Sequence, residues 1–322
     1  MGEVIWYQLV SAWRLGIILA EEDPAGSQAG ARWTIRPLAH RCFEGSQDVT
    51  KSEKELRPYL AFSVPSINPV LAPRFEGKSM NEIDWQSTQQ EITGGDRQKQ
   101  VSLSLEASKV AATAVDHSYS TFNHLVSGSA VEQFGGVFLG CERIERGDAV
   151  RVWSASEQQE LGLVLLIKNI MVNDQHGLCF EGDMYCLKQP TSTDELPLTG
   201  VRLSPDMEEE AATWNQVKAR QGVHVEWVFK RRGTLREDAI RGRFYPTFRL
   251  RKLIDPARLD RDLQSGVVEG VQAYLNNRRS SQGRFIVRWK NRLDTVKDAL
   301  PQGSLPVPIG PNMFGPDVFE DI

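Results

Sequence analysis

Three apolar stretches of strand length, separated by two turn signals, fill residues 135 to 187 and restrict the fold more than anything else in the chain. They read "GGVFLGCERIERGDAVRV", "LGLVLLIKNIMV" and "LCFEGDMYCL". In the last, Leu178, Phe180, Met184 and Cys186 are apolar while Glu181 and Asp183 are acidic, the period-two pattern of a half-buried strand. Gly147 can take the positive φ of a tight turn, and Asp148 can accept hydrogen bonds from nearby backbone amides. The loop "NDQHG" supplies the second turn. Adjacent antiparallel strands are therefore predicted over 135–187, with Ile144, Val150 and Val152 facing inwards. A helix across Leu163 to Val172 is the competing reading of that continuous apolar run.

Before this block, "EVIWYQLV", "AWRLGIILA", "ARWTIRPLAH" and "LRPYLAFSVP" repeat the strand pattern and predict a small curled sheet. Residues 66 to 100 are polar and poorly periodic, which reads as a surface connection. The stretch "LEASKVAATAVDHSYSTFNHLV" is the best helix candidate of the first half, with Leu105, Val110, Ala114 and Val115 on one side. After the central block, residues 189 to 210 read as an acidic loop. "VHVEWVFKRR" reads as a strand with Val223, Val225, Trp227 and Phe229 on one face. "PARLDRDLQSGVVEGVQAYLN" reads as a helix interrupted near Gly266, and "GRFIVRWKNRL" as a basic strand. The proline- and glycine-rich end reads as extended. The expected organisation is a small β segment of SH3 or tudor type at 1–65, a connecting region with one helix at 66–129, a β-rich domain at 130–255, a basic helix and strand extension at 256–298, and the tail at 299–322. The fold class expected is mainly β with some helices, an α+β chain.

Charge divides the chain unevenly. Between Lys218 and Lys297, 20 Lys or Arg face 8 Asp or Glu, a balance of +12; with a total of −4, the remainder carries −16. Such polarity argues for a polyanionic partner or for docking between the two parts. The longest purely apolar run, Leu163 to Ile167, is five residues, against the roughly 20 that span a bilayer. With no signal peptide or myristoylation pattern at "MGEVIW", an intracellular protein without a membrane partner is expected. Cys42, Cys141, Cys179 and Cys186 form no C-x-x-C pair and are expected to be reduced; no metal or cofactor is expected. Glycine-rich phosphate loops, G-x-S-x-G and H-E-x-x-H are all missing from the sequence, so no enzyme activity is expected.

The central block also carries a resemblance. "RIERGDAVRV", "LGLVLLIKNI" and "FEGDMYCL" resemble the core of bromo-adjacent homology domains, β-rich interaction modules of chromatin proteins, with Gly147, Asp148, Val150, Ile167 and Ile170 at the matching positions. The resemblance implies a distorted β barrel for 130–255. The strand "GLCFEGDMYCL" lacks the tryptophan usual in histone-reading members. More widely, "ELRPYLAFSVP", "GVFLGCERI", "GDMYCL", "IRGRFYPTFRL" and "LNNRR" are similar to the fungal transcription-silencing proteins called cryptic loci regulators. That likeness implies a nuclear, non-catalytic subunit of a repressor complex. Its partners would be a histone deacetylase, a remodeller and a zinc-finger scaffold, with nucleosomal DNA or histones as further partners.

Two candidate sites follow from residue types. Trp6, Tyr7, Trp13 and Trp33 concentrate four large aromatics in the first strands, and such rings can cage a methylated ammonium; hydrophobic core and a protein interface are the alternatives. Lys230, Arg231 and Arg232, then Arg278, Arg279, Arg284, Arg288, Lys290 and Arg292, with interleaved aromatics, are candidate nucleic-acid contacts. Pairing of these arginines with the acidic part of the chain or with a partner, and a merely solvated face, are the alternatives.

Overall fold

The computed structural model describes residues 1–10, 12–22, 31–38, 47–59, 66–75, 78, 80–94, 96–126, 131–152, 163–173, 176–191, 202–265 and 290–300. The chain is mainly β with packed helices, as its patterning predicts. Five strands, β1 (Val4–Leu9), β2 (Ala12–Glu22), β3 (Arg32–Pro37), β4 (Val49–Ser52) and β5 (Leu56–Pro58), form an antiparallel sheet in the order β4-β3-β2-β1-β5. Alternation sorts its side chains. Val4, Trp6, Leu15, Ile17 and Leu19 enter one buried cluster, while Ile5, Tyr7, Ile18 and Ile35 enter another.

The first cluster is completed by helices. After α1 (Ala72–Phe75) come α2 (Trp85–Thr93) and α3 (Arg97–Asp116). Residues 66–100 are thus more than a surface connection: Phe75, Met80, Ile83 and Trp85 are all buried in the first cluster, and the Trp85 indole donates to the Met80 carbonyl at 3.0 Å. On α3 the buried stripe is Leu103, Ala107, Val110, Ala111 and Val115, the spacing of one helical face. Leu105 and Ala114 are only partly buried.

The helix predicted to run on to Val126 stops at Asp116, and Ser118–Val126 is strand β6. From His117 the chain reads His-Ser-Tyr-Ser-Thr-Phe-Asn-His, with no strong helix former, while its Tyr, Thr and Phe suit a pleated surface.

A second, nine-stranded sheet is built from β6, β7 (Val131–Leu139), β8 (Glu142–Glu145), β9 (Ala149–Val152), β10 (Leu163–Asn173), β11 (Gly177–Lys188), β12 (Glu226–Arg236), β13 (Ile240–Arg243) and β14 (Lys290–Asn291). Among its described residues the block over 135–187 is strands joined by tight turns, with an additional turn at Gly140–Cys141 between β7 and β8, and Leu163 to Val172 is strand rather than helix. Strand β10 is the spine. It pairs β11 along its length; on its other side, Val164–Leu166 pair β9 and Ile170–Asn173 pair β7. Two partners sharing one edge, with a bulge at Ile167/Asn169, curl the sheet around a core that includes Phe134, Val137, Ile144, Val150, Ile167 and Phe180. Gly147 sits at φ +92° and Asp148 accepts from the Glu145 amide at 2.8 Å, so the turn forms as its residues predict. On β11, a Cβ added to Gly182 would lie 2.0 Å from the Leu166 carbonyl oxygen, which explains a glycine in mid-strand.

The outer face of this sheet is covered by α4 (Pro205–Lys218), which starts inside the predicted acidic loop with Ser204 as N-cap and Pro205 at its first turn. Trp227 donates its indole N–H to the Met207 carbonyl at 2.7 Å. Helices α5 (Thr247–Ile254) and α6 (Pro256–Ser265) follow β13. The expected basic strand survives in the described residues only as β14, which runs straight into α7 (Arg292–Ala299). The tail from Pro301 lies outside the described residues.

The two sheets share a core. Val296 and Ala299 from α7, Leu300 just after it and Cys141 from the turn between β7 and β8 complete the cluster of the first sheet with α3.

Candidate functional site

The beginning of β1 lies at the junction of the sheets, and three separate elements grip it. The Val4 amide donates to the Cys141 carbonyl at 3.0 Å. Glu3 Oε1 accepts from the Arg143 amide at 3.1 Å and forms an ion pair with Arg243 Nη1 at 3.1 Å. Arg292 donates through Nη2 to the Gly2 carbonyl. Around this junction a pocket of about 260 Å³ opens, walled by Ile5, Ile18, Trp33 and Leu56 from the first sheet and by Arg243, Tyr245, Pro246, Leu250 and Leu253 from the second half.

The polar groups at its base satisfy one another. Glu142 is buried; its Oε2 accepts from the Arg243 amide at 3.1 Å and its Oε1 from the Tyr245 hydroxyl at 2.8 Å. The Arg243 guanidinium lies over the Tyr245 ring, 5.2 Å from its centroid, and donates to the Arg143 carbonyl at 3.2 Å. Burial pushes the Arg243 pKa down, but Glu3, Tyr245 and Glu142 outweigh it and hold the pKa well above the ordinary value. A cation already occupies the acidic and aromatic corner of the pocket. What the walls leave open is mostly apolar, with Glu53, Arg57 and Arg249 also in the lining.

The aromatic residues singled out from the sequence do not converge. Trp6 and Tyr7 are neighbours on one strand and therefore point to opposite faces. Trp6 is core, with its indole donating to the Tyr59 carbonyl at 3.2 Å. Tyr7 lies in the other cluster, and burial pushes its hydroxyl up to about 12. Trp13 packs beside the first cluster under the guanidinium of Arg57, 4.2 Å from the ring centroid, so an internal cation takes that face. Trp33 packs against the second cluster. The four form no single methyl-ammonium cage. Alternation along β1 alone separates the first two.

The basic residues also divide. Arg231 and Arg232 on β12 are exposed, and Lys230 is half-buried. Arg232 Nε pairs with the fully buried Asp183 at 2.7 Å, and Lys168 pairs with the same carboxylate at 2.5 Å. Burial pushes the Asp183 pKa up, but hydrogen bonds from Arg232 and Lys168 prevail and hold it below the usual range. Arg292 is fully buried over the Phe138 ring, 4.4 Å from the centroid, and burial lowers its pKa to about 10. It faces the core, so it is corrected from a phosphate contact to a structural residue. Arg278, Arg279, Arg284 and Arg288 lie outside the described residues, as does the side chain of Lys290. Elsewhere the basic segment meets the acidic part of the chain: Arg243 pairs with Glu3, and Arg249 pairs with Asp206 at 3.0 Å and with Glu209. Cys141, Cys179 and Cys186 are buried and in no disulfide, and among the described residues no cluster of three metal-ligating side chains occurs.

The segment from β7 to the residue after Tyr245 is the one that comparison with known families picks out. Residues 134–246 match the family model "Transcription-silencing protein Clr2". That match takes in the Gly147 turn, the β10–β12 strands and the Glu142, Arg243 and Tyr245 network; Glu3 lies outside it. A solved structure described as Clr2 bound to the Clr1 C-terminus resembles the whole fold, with a TM-score of 0.50 at 12% identity, covering 94% of this chain and 58% of that one. The chain thus spans somewhat over half the length of that protein, and at this identity the likeness is one of fold. No curated protein matches the sequence. No described helix is long and apolar enough to cross a membrane.

The sequence does not mark the pocket residues. Glu142, Arg243 and Tyr245 lie in "GVFLGCERI" and "IRGRFYPTFRL", but their meeting depends on a contact about 100 residues long in sequence. Only the charge polarity hinted at it.

Proposed function

We propose that this protein is a non-catalytic subunit of a nuclear transcription-silencing complex, in which it scaffolds or recruits histone deacetylase, remodelling and zinc-finger partners. The observation that carries the reading is the coincidence of the silencing-family match over 134–246 with a fold likeness that extends over nearly the whole chain. On this reading the curled second sheet is an interaction module of bromo-adjacent homology type. The apolar pocket at the junction of the sheets is a seat for a partner's side chain, of the kind that dominates protein interfaces. The internal neutralisation of its base by Arg243 fits an apolar anchor better than a charged one. A second reading, a DNA- or nucleosome-binding module, is favoured by the exposed Arg231 and Arg232.

Affinity purification of the tagged chain from the nuclei of its own cells, followed by mass spectrometry and paired with a silenced reporter gene, tests the first reading. Recovery of deacetylase and remodeller subunits, with derepression of the reporter on deletion, is expected. Neither occurring would overturn it.

A further inference from the structure

Strand β12 is the outer strand of the second sheet: among the described residues it pairs with β11 along one edge and with no strand along the other. Antiparallel pairing engages the backbone groups of alternate residues, so an edge strand keeps the intervening N–H and C=O groups turned outwards. The first part of β12 is covered, since Trp227 is buried beneath Met207 of α4. The second part is open: Arg231, Arg232, Thr234 and Arg236 are all exposed. Arg231 and Arg236 make no ion pair among the described residues. Arg232 shares the one buried carboxylate of Asp183 with Lys168, which leaves that trio with a charge of +1. The open edge is therefore a row of available backbone groups with exposed arginine on both faces: Arg231 on the face of Leu235, and Arg232 and Arg236 on the face of Asp183 and Glu181.

We infer that the edge of β12 over residues 231–236 accepts an extended acidic segment of a partner protein as an added strand. Backbone pairing holds the segment, and carboxylates on it meet the arginines. Charge complementarity selects this occupant. A second copy of the same strand would set arginine against arginine, which disfavours self-pairing. Nucleic acid would engage the arginines through phosphates but leave the outward backbone row unused. Glu237 and Asp238 follow directly, so the acidic residues of the segment fall opposite 231–236 and no further. The inference deepens the scaffold reading and rests on it for the existence of a protein partner.

The test uses the full chain and a fluorescein-labelled eight-residue peptide of paired glutamates and valines (EEVVEEVV), which sets carboxylates on both faces of an added strand, read by fluorescence polarisation and by amide hydrogen exchange. Saturable binding that slows exchange in β12 is expected, with affinity reduced roughly tenfold in R231E/R236E. The same peptide N-methylated on alternate residues is expected not to bind. No binding by the unmodified peptide would overturn the assignment; so would equal binding of the N-methylated one, which would mean charge alone. Stronger binding of a 12-base-pair duplex with the same arginine dependence, undisplaced by the peptide, would also overturn it and assign the edge to nucleic acid. The nuclear purification is run with wild type and R231E/R236E in parallel. Loss of silencing subunits from both overturns the scaffold reading while the peptide result stands. Retention of them by both, with the peptide failing to bind, overturns the edge assignment alone.

Discussion

Replacing Glu3 by Ala removes the carboxylate on which two elements of the second sheet converge. The Arg243 guanidinium loses an ion pair at 3.1 Å, and the Arg143 amide loses its acceptor at 3.1 Å. At an effective dielectric of about 20, an ion pair of that length has a gross Coulomb energy of roughly 5 kcal/mol. The side chains are 17% and 27% exposed, and Glu142 stays close to Arg243, so water and the second carboxylate recover part of it. A net loss of about 2–4 kcal/mol is expected, somewhat below the roughly 3–5 kcal/mol for breaking a fully buried pair from one side because this pair is partly exposed. For 322 residues, an unfolding entropy of about 2.1 cal/mol/K per residue gives roughly 0.7 kcal/mol/K, so the melting temperature should fall by about 3–6 °C. Urea titration of wild type, E3A, R243M and E3A/R243M closes a double-mutant cycle, in which a coupling of at least about 1.5 kcal/mol is expected. A loss below about 0.5 kcal/mol in E3A, or additive single mutants, would refute the view that this pair joins the sheets.

Three further outcomes can be measured. Gly182→Ala places a methyl group 2.0 Å from a backbone oxygen and should cost more than about 3 kcal/mol in urea denaturation, whereas Gly147→Ala, with open space around it, should cost only about 1–2 kcal/mol for its positive φ. Glu210, buried and accepting from the Thr247 amide and hydroxyl and the Trp214 indole, has its pKa raised chiefly by burial. The folded state therefore binds this proton at higher pH than the unfolded chain, and this contribution to stability falls as pH rises through the interval above the ordinary glutamate value; relative to E210Q, wild type should gain stability on acidification from pH 7 towards about 4.5, and a flat difference would contradict the assignment. Arg292→Ala should lower the melting temperature and leave any salt dependence of duplex binding unchanged, the reverse of a phosphate contact.

Local pattern predicted most of the strands because each carries its own evidence. The Gly147–Asp148 turn and strand β11 are each complete within a few residues, and the structure forms both; the half-buried pattern of β11 is corrected, because Cys179, Asp183 and Tyr185 on its second face are buried too. Ser204-Pro205-Asp206 was an equally local helix start, but the run of Pro, Thr, Ser and Glu around it concealed α4. Phe75, Met80, Ile83 and Trp85 give no local signal for a different reason: isolated apolar residues in a polar stretch show no period, and only the packed helices bring all four to one core. The site was legible only as an excess of charge. That excess could mean pairing within the chain or a partner outside it, and Arg249 with Asp206 and Arg243 with Glu3 show how pairing within the chain takes up part of it.

The bond from Arg292 to the Gly2 carbonyl closes a contact across 290 residues. A ribosome adding roughly 5–20 residues per second needs about 15–60 seconds to pass from one partner to the other. For that interval the β1 side chains Val4 and Trp6 lack Val296, Ala299 and Leu300, with which they share a core. The first sheet is thus made early and finished last, and the nascent chain carries an incomplete apolar face until α7 emerges. Slow synthesis or a late stall would lengthen that exposure, so chaperone demand during translation is built into the order in which this fold is connected.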